Sequence, residues 1–111
     1  ITVMGPYVFT CKLDSQLLTP ETGSVDWRQG YDYGLKHEII ETPAVIGSFC
    51  KQYLNKLNLN FGCFDFIVTP DDEFVFLECN PNGQWGWIED ECHVPMSEAM
   101  VDCLQNCLPV L

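Results

Sequence analysis

The sequence predicts an α+β domain in which an antiparallel sheet is flanked by helices. Three observations carry this. β-rich runs come in pairs joined by turn residues, and two longer stretches carry apolar residues at helical spacing. Their order is β-β-loop-α-β-β-α, which suits helices packed over one face of a sheet. A chain of 111 residues, 47% of them aliphatic, aromatic or cysteine, suits one small domain with a real core.

Ile1–Met4 and Tyr7–Leu13 are β-rich and flank the turn dipeptide Gly5-Pro6, so they predict a hairpin. Asp14 to Thr42 is rich in Gly, Pro, Asp and Ser and reads as a long, mostly irregular connection. Pro43–Leu57 reads as a helix, with Val45, Ile46, Phe49, Cys50, Tyr53, Leu54 and Leu57 on one stripe. Thr42 suits the cap position and Pro43 the first turn. After the link Asn58-Leu59-Asn60, Phe61–Thr69 and Glu73–Asn80 read as strands of a second hairpin, turned by Pro70-Asp71-Asp72. Pro95–Leu108 is a second amphipathic helix, striped by Met96, Met100, Cys103, Leu104, Cys107 and Leu108.

The net charge is −11, with only Lys12, Arg28, Lys36, Lys51 and Lys56 as cations. Such a surface repels phosphate backbones, which argues against nucleic acid as a partner. The acid excess serves solubility or, in part, binds a hard cation. No apolar run approaches the ~18–20 residues of a membrane span, so no membrane partner is expected. The seven cysteines (11, 50, 63, 79, 92, 103 and 107) include one close pair, Cys103 and Cys107, at helical spacing. Zinc ligation is not indicated, and free thiols on apolar stripes point to a reducing, cytoplasmic compartment. The sequence starts inside a strand without an initiator Met, so a fragment of a longer protein is expected.

Strand parity then singles out three polar residues. Side chains alternate faces along a strand, so Glu78 and Asn80 share one face of Phe74–Asn80. Val75, Leu77 and Cys79 are expected on the other, toward the helices. In the partner strand Phe64, Phe66 and Val68 form an apolar row, and Asp65 stands between Cys63 and Ile67 on the opposite row. If Asp65 shares a face with Glu78 and Asn80, two carboxylates and an amide oxygen converge. That set suits Mg²⁺, which is commonly completed by substrate phosphates. Two adjacent anions repel unless a cation or proton lies between them. The alternative is an edge-strand carboxylate in solvent beside hydrogen-bonded turn residues.

These residues carry a resemblance. The segment FGCFDFIVTPDDEFVFLECNPNGQWGWIE resembles the end of an ATP-grasp ligase, with its strand Asp, hairpin and Glu-x-Asn-Pro strand end. The extension Asn-Gly-Gln-Trp, with Trp87 and Glu89 beyond it, resembles the branch that matures ribosomally made peptides, the microviridin or graspetide type. "LDSQ" and "VDWR" also look like that branch. The resemblance implies the C-terminal lobe of an ATP-grasp, glutathione synthetase-like fold, spanning residues 1–111, without the lobes that clamp the nucleotide. It implies that ATP phosphorylates a carboxylate and that a hydroxyl or amine then attacks the acyl phosphate, cross-linking side chains of a precursor peptide. Carried over, Asp65, Glu78 and Asn80 would bind Mg²⁺ or Mn²⁺, and Arg28 would lie near the transferred phosphoryl group. The partners implied are ATP and a peptide or small carboxylate, with a homodimer left open. The isolated chain is expected to bind Mg-ATP weakly and not to turn over.

Other readings stay open. Another ATP-grasp carboxylate-amine ligase, glutathione synthetase-like or glutamate-adding, would share the three ligands. A non-catalytic binding module would keep the sheet but lose the costly carboxylates. A calcium domain lacks its DxDxDG-type loop. Arg28, the only arginine, suits phosphate but equally a salt bridge to Asp26. Trp85 and Trp87 suit a peptide or adenine wall as well as packing over the sheet end. Lys12 suits a phosphate or solvent. His37 and His93 carry no ligand spacing. Glu38 and Glu41 are read as favouring a helix N-terminus, and Glu89-Asp90-Glu91 as a solvated loop.

Overall fold

The computed structural model describes residues 1–14 and 36–111. In chain order the elements are β1 Thr2–Met4, β2 Tyr7–Leu13, β3 His37–Ile40, α1 Ala44–Lys56, β4 Phe61–Val68, β5 Phe74–Asn80, α2 Gly86–Cys92 and α3 Met96–Asn106. The strands form one sheet in the order β3-β2-β1-β4-β5, and each neighbouring pair is antiparallel. The fold class is α+β as predicted, and both expected hairpins form.

The helices do not share one face. α1 lies on one side, where Cys50 and Leu54 pack with Val3 and Phe64. α2 and α3 lie on the other, where Ile88, Met96 and Ala99 pack with Met4. The reason sits in β1, the central strand, whose residues are all buried. A strand covered on both faces needs apolar or satisfied side chains at both parities and shows no alternation. Ile-Thr-Val-Met carries that signal in its first four residues.

Close approach depends on two glycines. Gly5 turns β1 into β2 with φ +54°, a conformation that disfavours any residue with a Cβ. A Cβ there would also stand 2.8 Å from Cys103 Sγ and 2.9 Å from the Leu108 carbonyl oxygen. Gly62, on β4, lets α1 settle onto the sheet, since a Cβ would meet Leu54 Cδ2 at 2.8 Å.

Three local expectations are corrected. Within the predicted connection Asp14–Thr42, His37–Ile40 is a strand paired to β2, with Glu38 opposite Lys12. Glu38 therefore lies within a strand rather than at a helix N-terminus. The charge run Glu89-Asp90-Glu91 lies in α2, whose Ile88 is buried. Glu89 accepts hydrogen bonds from the Ser97 backbone N–H at 3.1 Å and from the Ser97 hydroxyl, tying α2 to the first turn of α3. Thr42 does not cap α1: Pro43 holds the cap position, without a side-chain hydrogen bond, and the Thr42 hydroxyl bonds that of Thr10 at 2.6 Å.

Among the described residues no helix is long and apolar enough to cross a membrane.

Candidate functional site

β4 and β5 bring the predicted carboxylates together. Asp65 is paired with Glu78, and Cys63 with Asn80, so all four residues share one face of the sheet. Directly opposite residues place their Cβ atoms about 4.5–5.5 Å apart, within reach of one cation. Asp65, Glu78 and Asn80 are exposed. α2 and α3 pack on this same face against Met4, Phe9, Cys11, Ile39 and Phe61, and leave the Asp65 end of the ladder open.

The pairing is not uniform. Asp65 pairs with Glu78 but Phe66 pairs with Phe76, so Leu77 is an extra residue, bulged out of β5. This corrects the simple alternation expected for the strand. On the N-terminal side of the bulge the faces exchange. Phe76 turns toward α1, with its ring centroid 5.4 Å from Phe49 and 5.6 Å from Tyr53. Val75, expected toward the helices, pairs with Ile67 on the Asp65 face, and both are exposed, as is Leu77. Only Cys79 keeps its expected side, opposite Phe64. Glu78 and Asn80 both lie beyond the bulge, so their shared face survives. Bulges bend a strand and re-aim its side chains, and they recur beside functional sites.

The strand end is held in two ways. The Asn82 backbone N–H donates to Asn80 Oδ1 at 2.9 Å. This bond fixes the carboxamide and leaves its oxygen a second lone pair. Gly83 then folds back onto the sheet: a Cβ built there would lie 2.5 Å from both Cβ and Sγ of Cys63. Neither contact was foreseen from the sequence, although Pro81-Asn82-Gly83 marked a turn.

The donor chemistry fits a hard divalent cation. Two carboxylates and an amide oxygen offer oxygen ligands only. Burial pushes the neighbouring Cys63 thiol up, against a lowering by its Thr2 contact. No side-chain hydrogen bond or ion pair to another described residue satisfies Asp65 or Glu78. Among the described residues there is no group of three or more His, Cys, Asp and Glu positioned for a metal, so the set depends on the Asn80 amide.

The remaining candidates separate. Arg28, with the VDWR segment and the end of LDSQ, lies outside the described residues. Trp85 and Trp87 pack against the Met4–Ile88–Met96 core, and Trp87 Nε1 donates to the Gln84 carbonyl oxygen at 3.1 Å. His37, given no role from sequence, sits edge-on to Trp87 with ring centroids 5.4 Å apart, and its Nδ1 is 4.0 Å from Glu91 Oε2. Lys12 is exposed on β2, opposite Glu38.

Solved structures similar to the chain include a ligase and two macrocyclases. A RiPP-associated ATP-grasp ligase from Chryseobacterium gregarium, in complex with ADP and a leader and core peptide, superposes with a TM-score of 0.83 at 30% identity over 98% of this chain. The macrocyclase MdnC from Microcystis aeruginosa MRC, bound with the precursor peptide MdnA, gives 0.77 at 32% identity over 96% of the chain. The macrocyclase MdnB from the same source gives 0.69 at 32% over 93%. The chain spans about a third of the length of each, at 33%, 32% and 34%. No family model and no curated protein matches it.

Proposed function

We propose that the chain is part of an ATP-grasp ligase of the peptide-maturing kind, and that it supplies the metal-holding part of an ATP-dependent carboxylate ligase. The observation that carries the reading is the Asp65–Glu78 pair with Asn80 beside it, three oxygen donors on one open sheet face. The reading makes residues 1–111 the C-terminal lobe of a longer enzyme, supported by the third of each similar protein's length that they span.

A carboxylate is a poor electrophile because it lacks a leaving group. Transfer of the ATP γ-phosphoryl group to a carboxylate oxygen forms an acyl phosphate and releases ADP. A hydroxyl or amine then attacks the acyl carbon, loses its proton, and expels inorganic phosphate, leaving an ester or amide. Asp65, Glu78 and Asn80 would hold Mg²⁺ or Mn²⁺, which when bound screens charge on the nucleotide phosphates. The role of this chain's residues is to orient. Asp65 and Glu78 fix two anionic oxygens across a rigid ladder, and the Asn80 carboxamide, pinned by the Asn82 N–H, adds a neutral third. Arg28 is assigned to the transferred phosphoryl group on sequence resemblance alone. Its guanidinium offers a planar, permanently charged donor fork.

The substrate proposed is a ribosomal precursor peptide whose side chains become cross-linked. The support is that the ligase from C. gregarium and MdnC are both peptide-bound, the former together with ADP. The test is a ligation assay on a longer polypeptide that contains this chain, with ATP, Mg²⁺ and candidate peptides. Each cross-link should remove one water from the peptide mass and release one phosphate, and Glu78→Gln should abolish both. The isolated 111 residues should show no turnover. Cross-linking by the Glu78→Gln enzyme at the unaltered rate, or turnover by the isolated chain, would refute this reading.

A further inference from the structure

We propose that the contact between Gly83 and Cys63 is a positioning device for the Asn80 carboxamide. Cys63 is the residue directly opposite Asn80 in the ladder. Gly83 lies so close over it that a Cβ would sit 2.5 Å from Cys63 Cβ and Sγ and 3.4 Å from the Asn80 carbonyl oxygen. Only a residue without a side chain lets the turn close down here. Once closed, the turn carries the Asn82 N–H to Asn80 Oδ1, at 2.9 Å. The chain after β5 is thus clamped on both sides of Asn80: by the ladder before it and by the Gly83–Cys63 contact after it. Cys63 enters as a small, partly buried residue that sets the height of the turn, with Thr2 Oγ1 3.9 Å from its Sγ. The Asn80 carboxamide, on the face that carries Asp65 and Glu78, is thereby held with one lone pair of its oxygen committed and the other left for a cation.

This inference rests on the reading of Asn80 as a cation ligand, and two separable readouts test it. One is the NMR exchange protection of the Asn82 amide, with the Asn80 side-chain amide signals, on the chain without metal. The other is Mn²⁺ affinity. Gly83→Ala should lower Asn82 protection about tenfold and average the Asn80 side-chain signals. It should weaken Mn²⁺ binding about 10- to 100-fold, the range for groups that orient a metal ligand. Cys63→Gly combined with Gly83→Ala removes the atoms that the new methyl would strike, and should recover both readouts. Unchanged Asn82 protection in Gly83→Ala would overturn the proposal. So would Mn²⁺ affinity that stays constant while protection falls, or a double variant no better than the single one. Failure of the unaltered chain to bind Mn²⁺, with protection behaving as expected, would instead overturn the metal site and leave the clamp standing.

Discussion

Asp65 and Glu78 face each other across the β4–β5 ladder, directly beside the bulge at Leu77 of β5. Like charges directly opposite in a sheet are destabilising. Glu78→Gln should therefore leave the metal-free chain as stable as before, or more so, in urea unfolding. The same substitution should remove the extra stability that Mn²⁺ confers. A loss of stability without metal would mean that Glu78 has a structural role.

The bulge makes a sharper prediction about packing. Deleting Leu77 leaves every observed pair of the ladder in place: Phe64 with Cys79, Asp65 with Glu78, Phe66 with Phe76. The deletion variant should fold with Phe76 still against Phe49 and Tyr53, seen as unchanged aromatic contacts by NMR. Without the local bend, Glu78 should be aimed less well, and Mn²⁺ affinity should fall. A variant with Val75 moved to the α1 side would show that alternation, not pairing, controls the strand.

Gly5 tests the sheet-to-helix packing. Gly5→Ala puts a Cβ at φ +54° and against the Leu108 carbonyl oxygen. A non-glycine residue in that region costs about 1–3 kcal/mol before any clash. Chemical denaturation should show a loss at or above that range.

Glu89 gives a pH dependence. Its hydrogen bonds from the Ser97 side chain and then from the Ser97 backbone hold its carboxyl below the usual glutamate range. A depressed folded value means the stabilisation is complete above the ordinary glutamate pKa. It is lost as pH falls through the lower, folded value. Amide exchange at the α2–α3 junction should therefore accelerate in acid, and Glu89→Gln should flatten that acid limb. An identical acid profile in the variant would remove Glu89 from the junction.

The sequence carried the fold class, the two long helices and both hairpins, because hydrophobic periods of 2 and 3.6 were plain in those segments. The Asp65–Glu78–Asn80 face was legible because all three residues lie on the regular side of the bulge. Val75 and Leu77 were misplaced because a bulge leaves no mark in composition: Phe-Val-Phe-Leu-Glu alternates well enough either way. β3 was hidden by its length, four residues of which only Ile39 and Ile40 are apolar. α2 was hidden because three acids in a row resemble a loop, although Trp85, Trp87 and Ile88 pack inward beside them. The Gly83–Cys63 contact joins residues twenty positions apart, and no local pattern reports it.

The central claim is that the Asp65–Glu78–Asn80 face binds a hard divalent cation. Mn²⁺ titration followed by paramagnetic broadening of assigned NMR signals tests it most directly. Saturable broadening should centre on Asp65, Glu78 and Asn80, be competed by Mg²⁺, and disappear in Glu78→Gln. Equal broadening in Glu78→Gln, or broadening spread evenly over the sixteen acidic residues of the chain, would contradict it.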